Sequence, residues 1–324
     1  MSVLVTGAAG FIGYHVTRAL LARGEDVYVI DNLNAYYSVE LKRARLAKLR
    51  EFAKFRFHEI DLSDRAAVAA ALKQHPDTRG IIHLAAQAGV RYSLENPYVY
   101  IQANIMSQVV LLEAARTLPK LECFVYASSS SVYGGNEKQP FSVADRVDRP
   151  VSLYAATKRS SELVAECYCH LFGIPMIGLR FFTVYGPWGR PDMAAYLFAD
   201  AILAGRPIKV FNHGKMARDF TYIDDIVAGT VAALDRPPEG PKPHRLYNLG
   251  NHHPEQLEHF IEVIEMALGR KAVKEYLPLQ PGDVPESFAD IEAARADLGF
   301  EPTTAIETGI PRFIAWYKDY HKIA

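Results

Sequence analysis

Tyr154 and Lys158 stand four residues apart in Tyr154-Ala155-Ala156-Thr157-Lys158, so on a helix the phenol and the ammonium share one face. An ammonium beside a phenol favours tyrosinate and lowers a pKa that is ordinarily about 10. Such a tyrosinate takes a proton from an alcohol while hydride leaves the same carbon. With 18 tyrosines in the chain the spacing alone carries little, since an ordinary surface Tyr and Lys would share it. Position carries more. The pair opens the helical stretch that follows a β-branched and aromatic run ending in Ala127-Ser128-Ser129-Ser130-Ser131.

A second constellation lies at the N-terminus. Gly7-Ala8-Ala9-Gly10-Phe11-Ile12-Gly13 sits between a short apolar strand and a helical pattern. Glycine at the turn lets the backbone approach a pyrophosphate, whose charge faces the free N–H groups of the helix start, and the last glycine lets helix and strand pack closely. The spacing is G-x-x-G-x-x-G, which alone could be a glycine-rich turn without a ligand. Asp31 supports the ligand reading. It ends the run Val27-Tyr28-Val29-Ile30-Asp31, where a carboxylate accepts hydrogen bonds from an adenosine ribose and repels a phosphate on the same sugar, so NAD is expected rather than NADP. Asp61 ends the third strand and either faces the adenine or caps the next helix. Ala85 and Ala86 leave room for a flat cofactor, with Phe11, Ile12, Asn32, Leu62 and Leu84 as further expected contacts.

These residues must be held by strands and helices in alternation. Strands are predicted at Val3–Val5, Asp26–Ile30, Phe55–Ile60, Gly80–Leu84, Cys123–Ala127 and Pro175–Phe181. Helices are predicted at Phe11–Ala22, Ser38–Ala53, Asp64–Gln74, Tyr98–Thr117 and Leu153–Phe172. Strand, helix, strand in repeated order implies an α/β fold, a doubly wound parallel sheet covered on both faces. After Phe181 the elements shorten and Gly and Pro increase, so a smaller second lobe is expected to close over the strand ends.

The composition fits that picture. The chain has 324 residues, 49% hydrophobic, with 36 basic and 37 acidic side chains. This is an ordinary globular composition, and the charge balance argues against a nucleic-acid binder that relies on bulk electrostatics. No stretch approaches the roughly 20 apolar residues of a membrane span, and the N-terminus shows no secretory signal. Cys123, Cys167 and Cys169 cannot form an even disulfide framework, so a reducing, cytoplasmic setting is expected. Asn251-His252-His253-Pro254 lacks companion ligands and reads as a solvated turn, with no metal site expected.

Gly7–Gly13, Asp31, the serine run and Tyr154/Lys158 resemble the extended short-chain dehydrogenase/reductases that act on nucleotide sugars. More narrowly, Ala85-Ala86-Gln87-Ala88-Gly89-Val90-Arg91-Tyr92-Ser93, the run Arg180–Met193 and Arg218-Asp219-Phe220-Thr221-Tyr222-Ile223-Asp224-Asp225 are similar to UDP-glucuronate 4-epimerases. The resemblance implies a Rossmann-like domain over 1–181 with about 208–236, and a UDP-sugar lobe over about 182–207 and 244–324. It implies bound NAD and interconversion of UDP-glucuronate and UDP-galacturonate through a 4-keto sugar. It places the catalytic hydroxyl at Ser129, three residues before Val132. It also implies a homodimer built on the helices Tyr98–Thr117 and Leu153–Phe172.

Relatives acting on neutral sugars carry Asn where this chain has Thr183. Ser129, Ser130, Ser131 and Thr183 could together donate several hydrogen bonds to a sugar carboxylate, with Arg91 as a second candidate. Arg218 resembles a diphosphate-binding arginine, Arg190 is a second candidate, and Asp283 resembles a uridine-ribose ligand. Gln280 stands where many relatives have Arg. A nucleotide-sugar dehydratase would place Asp-Glu at Ser130-Ser131, and a UDP-glucuronate decarboxylase typically carries Glu in this run. A non-catalytic NAD sensor would not need Tyr154 with Lys158.

Overall fold

The computed structural model describes residues 1–241, 243–280 and 283–323. The central strands are β1 (Ser2–Thr6), β2 (Asp26–Asp31), β3 (Phe55–Glu59), β4 (Thr78–His83), β5 (Cys123–Ser129) and β6 (Met176–Phe181). Smaller strands follow: β7 (Thr183–Tyr185), β8 (Ile208–Val210), β9 (Ala217–Tyr222), β10 (His244–Leu249), β11 (Pro254–Gln256), β12 (Lys274–Tyr276) and β13 (Glu286–Ser287). The seven-stranded sheet runs β10-β6-β5-β4-β1-β2-β3, and every pairing in it is parallel.

Side chains alternate across this sheet, as the pleat requires. Val3, Val5, Val27, Val29, Val125 and Ile177 enter one core, whereas Leu4, Tyr28, Ile30, Phe124, Tyr126 and Met176 enter the other. Helices α1 (Phe11–Ala22) and α2 (Val39–Leu49) contribute Val16, Leu20, Leu46 and Leu49 to the first core. Helix α3 (Arg65–Lys73) contributes Val68 and Leu72 to the second. Two caps set the starts of these helices: Ser38 accepts from Leu41 N at α2, and Asp64 accepts from Ala66 N and Ala67 N at α3. The short α4 (Tyr92–Glu95) and α5 (Pro97–Tyr100) lead into a π-helical turn, Ile101–Met106, and then α6 (Ser107–Ala115).

The predicted helix over Tyr98–Thr117 is therefore interrupted. Asn104 sits in the π turn, and its buried amide bonds Gln87 N at 2.8 Å, Gln87 O at 3.1 Å and Thr157 Oγ1 at 3.0 Å. The widened turn accommodates that side chain between two neighbouring segments. Helix α7 (Leu153–Phe172) has the predicted limits. Ser152 caps it by accepting from Ala155 N at 3.1 Å, and Gly173 ends it in the left-handed conformation.

The later chain interleaves the two lobes more than expected. Residues His244–Leu249 were expected in the smaller lobe, yet β10 extends the central sheet beside β6. Conversely, β8 lies within the span expected to join the sheet domain but pairs with β12. Strand β9 forms a separate four-stranded sheet with β7, β11 and β13. Helices α8 (Ala194–Leu203), α10 (Leu257–Leu268) and α12 (Ile306–His321) pack around it, with Phe220 stacked on Phe260 at 3.8 Å. Helix α9 (Ile223–Asp235) returns to cover α1, and α11 (Glu292–Leu298) packs on β10. No helix among the described residues is long and apolar enough to cross a membrane.

Candidate active site

The carboxyl ends of β1, β2, β4, β5 and β6 converge on a cavity of about 590 Å³. Its floor is the glycine turn. Gly7 has φ +75, and a Cβ there would lie 2.6 Å from Ala85 N; a Cβ on Gly13 would lie 2.1 Å from Gly7 O. Gly10 caps α1 without a side-chain hydrogen bond, leaving the first-turn N–H groups to a ligand anion.

Asp31 straps this turn to β2. Its buried carboxylate accepts from Ala9 N at 3.0 Å and Leu33 N at 2.9 Å. Burial pushes its pKa up, against those N–H groups and nearby Lys42. Each oxygen keeps a second lone pair for a ribose hydroxyl. Asp61 is not the cap of α3, which is Asp64. Asp61 instead accepts from Asn32 Nδ2 at 2.9 Å and from Ser63 N and Oγ at 2.9 and 2.7 Å, and it faces the cavity. Leu62, Leu84, Ala85 and Ala86 complete this wall with Phe11 and Ile12. The open cradle, the bare helix start and the acceptor at Asp31 fit NAD.

The catalytic candidates occupy the same cavity. Tyr154 is half-buried on the first turn of α7. Burial raises its pKa, against the lowering expected from Lys158, and what pulls it down is a hydrogen bond from Ser129 and the charge of Arg190. Lys158, one turn on, is buried and donates to Ala127 O at 2.9 Å. Burial brings its pKa down to about 8, and Glu162 opposes that. Glu162 itself is fully enclosed. It accepts from Ser128 Oγ at 2.6 Å, from Arg180 Nε and Nη2 at 2.8 and 2.9 Å, and from Arg159 Nη1 at 3.0 Å. Arg180 goes on to Tyr133 OH at 3.0 Å, and Tyr133 donates to Asn248 at 2.6 Å. Ser129, Tyr154 and Lys158 are thus backed by a closed polar network.

Arg190 also reaches this cavity, beside the phenol of Tyr154. Its Nε donates to Asp192 at 3.0 Å, and Tyr36 OH donates to the same carboxylate at 3.2 Å. Six expected substrate residues do not line the cavity. Ser131 bonds Ser129 Oγ, and Ser130 opens a short helical turn after β5. Thr183 borders an adjoining narrow pocket that shares Val184, Arg190 and Met193 with the main one. Arg91 and Asp283 pair with each other at 3.2 Å, with Arg91 lying over the Phe211 ring. Pro281 and Gly282 of the Pro281-Gly282-Asp283 motif lie outside the described residues. Arg218 donates to Ala217 O and Pro285 O at 2.9 and 3.0 Å.

The sequence did not single out Tyr36, Lys42, Gln87, Tyr92 or Met193, all of which line the cavity. Tyr36 and Lys42 lie just beyond the cofactor aspartate in Asn32–Lys42, and that position was their signal. Among the described residues no group of three or more His, Cys, Asp or Glu is placed to hold a metal ion.

Two buried neutral histidines frame the site. His83 Nδ1 lies 2.7 Å from Thr6 Oγ1, and burial, aided by Lys158, lowers its pKa to about 3. His15 bonds Pro187 O at 2.8 Å, and burial lowers its pKa to about 4. Below pH 6.5 the unfolded chain takes up these protons and the folded chain does not, so stability falls as pH falls toward those values. Each histidine costs the fold about 1.4 kcal/mol per pH unit in that window. Denaturant titrations from pH 7 to pH 5 are expected to show the loss, and His15→Asn should make the slope shallower.

The strand order, the glycine turn and the Tyr154/Lys158 pair over one cavity agree with the family-level match. A model of the NAD dependent epimerase/dehydratase family matches residues 3–250. The chain belongs to that family. It is 46% identical over 340 residues to a probable UDP-glucuronate 4-epimerase of Rhizobium meliloti (strain 1021), covering 100% of this chain and 99% of that one. It is 47% identical over 334 residues to UDP-glucuronate 4-epimerase 4 of Arabidopsis thaliana, covering 99% of this chain and 76% of the plant protein. Its fold is similar to the crystal structure of UDP-glucuronic acid 4-epimerase from Bacillus cereus in complex with UDP-glucuronic acid and NAD. The TM-score is 0.92 at 35% identity, over 99% of this chain and 100% of that one.

Proposed function

We propose that this protein is a UDP-glucuronate 4-epimerase that interconverts UDP-glucuronate and UDP-galacturonate with a retained NAD. One observation carries the reading. Ser129, Tyr154 and Lys158 line the same cavity as the glycine turn and Asp31, and there is no acid pair at Ser130-Ser131. The full-length likeness to proteins named for this reaction supports the choice of sugar.

When bound at the glycine turn and Asp31, NAD would supply the hydride acceptor and donor for carbon 4 of the sugar. The chain's own residues handle the proton, the acid group and the phosphates. Tyr154 takes the proton of the 4-hydroxyl, Ser129 donates to the same oxygen, and Lys158 is fixed on Ala127 O one helical turn away. The oxidised sugar is a β-keto acid, which loses carbon dioxide when its carboxylate bond stands perpendicular to the ketone plane. Donors from Ser130, Ser131 and Thr183 hold the group away from that arrangement while the ring turns over. Arg218 and Arg190 are the cations for the diphosphate, and Asp283 the acceptor for the uridine ribose. Arg190 lines the cavity beside Tyr154, which supports a place for it close to the sugar as well.

The test is to incubate purified protein with UDP-glucuronate and follow the sugars by NMR. UDP-galacturonate without added NAD is the expected product. UDP-xylose with carbon dioxide as the main products would make the protein a decarboxylase. Thr183→Val should raise the fraction of turnovers that end in carbon dioxide several-fold, measured as bicarbonate against UDP-galacturonate. An unchanged ratio would remove Thr183 from the carboxylate site.

The working form is a homodimer in a reducing cytoplasm. Tyr98 is 84% exposed, with Ile101, Leu163, Leu171 and Phe172 also exposed on the helices expected to pair. Exposed apolar side chains grouped on paired helices favour a self-association face. Sedimentation at micromolar concentration should give twice the chain mass of 36.2 kDa.

A further inference from the structure

Arg45 is fully buried on α2, and no acidic side chain forms a direct ion pair with it among the described residues, although the charge of Asp31 lies near enough to interact. Its guanidinium is held by oxygens from three segments. Nη1 donates to Ala9 O in the glycine turn and to Tyr37 OH, both at 2.8 Å. Nη2 donates to Trp188 O at 2.7 Å and Gly189 O at 3.2 Å, and Nε has no hydrogen-bond partner. A buried cation without a direct ion pair is expensive to keep. Its placement therefore calls for a reason beyond packing.

The geometry points to a link between the two halves of the site. Trp188 has φ +61, a left-handed conformation uncommon for a bulky residue, and it stands two residues before Arg190. Carbonyl bonds from Arg45 to Trp188 and Gly189 fix this turn, and the His15 ring holds Pro187 O from α1. Tyr36, from the loop between β2 and α2, binds Asp192, which in turn holds the guanidinium of Arg190. Both ends of the segment that carries Arg190 are thus anchored to the cofactor-side domain. We propose that Arg45 is a positioning residue for Arg190, locking residues 187–189 to the glycine turn so that Arg190 enters the cavity in one setting beside Tyr154.

The inference rests on the reading of the cavity as the site of sugar chemistry. A double-mutant cycle on NAD-loaded protein tests it. Arg45→Met should lower kcat/KM for UDP-glucuronate on the order of 100-fold, as a misplaced catalytic-site group does. In an Arg190→Met background the same change should cost less than about threefold, because the group it positions is gone. The loss in melting temperature should be the same in both backgrounds. Equal losses of kcat/KM in the two backgrounds, or no loss in either, would overturn the proposal. If Arg45→Met fails to fold, Arg45→Lys carries the same cycle, since it keeps the charge but cannot fork onto two carbonyls.

A second readout needs no substrate. Trp188 and Trp316 are the two tryptophans of the chain, so a Trp316→Phe background isolates Trp188. With NAD bound and the fold intact, Arg45→Met should at least double acrylamide quenching of Trp188. Unchanged quenching would also overturn the proposal. Inactive wild-type protein on UDP-glucuronate would count against the proposed substrate alone, and the quenching result would then decide the inference.

Discussion

Tyr154→Phe is expected to lower turnover of UDP-glucuronate by about three orders of magnitude while NAD remains bound. The phenol is the ionisable group of the cavity placed one helical turn from a buried lysine and beside the Ser129 hydroxyl. General acid–base residues contribute roughly 10²–10⁴-fold. Phenylalanine keeps the ring and its packing against Tyr100, whose centroid lies 6.1 Å away, so binding should be little changed. Single-turnover absorbance of reduced nicotinamide, beside the NAD content of heat-denatured protein, separates the two effects. A variant that lost NAD would assign Tyr154 to cofactor retention, and one that kept full turnover would remove it from proton transfer.

Glu162→Gln is expected to be the most damaging single change away from the reacting atoms. Glu162 is enclosed with Arg180, whose side chain is 1% exposed, and also pairs with Arg159. Removing one partner of such a pair leaves a buried charge uncompensated and costs about 3–5 kcal/mol. For a chain of this size that corresponds to a melting temperature lower by roughly 4–7 °C. Pairing Glu162→Leu with Arg180→Met should recover part of the loss, because the enclosed charge is then absent from both sides. The double variant should still be slow, since Ser128 loses its anchor beside Ser129 and Lys158 loses the carboxylate one turn away. Equal stability of the single and double variants would show that the network holds the fold in another way.

Much of the fold was legible because local rules act on short stretches. Helix α1 begins and ends where glycine punctuation put it, and α7 runs between Ser152 and Gly173 as capping predicts. The six central strands announced themselves as β-branched runs alternating with helical patterns. Strand β10 did not. Leu246-Tyr247-Asn248-Leu249 follows a proline-rich stretch, and pairing with β6 across a long separation in sequence is a tertiary event with no local signal. The π turn at Asn104 was hidden for the same reason, since its cause is the backbone of Gln87 and the hydroxyl of Thr157 in other segments.

The site divides along the same line. Sequence by itself pointed to the glycine turn, Asp31 and the Tyr154/Lys158 pair, because each sits at a strand end or helix start whose position follows from periodicity, while Ser129 followed from the family resemblance. Tertiary structure alone decided that Arg190 stands beside Tyr154, that Arg91 closes onto Asp283, and that Glu162, Arg180 and Arg45 lie buried under the cavity. Which charges meet depends on how the second lobe folds back over the sheet. That return is set by packing between segments far apart in the chain, where no pattern of spacing records the partner.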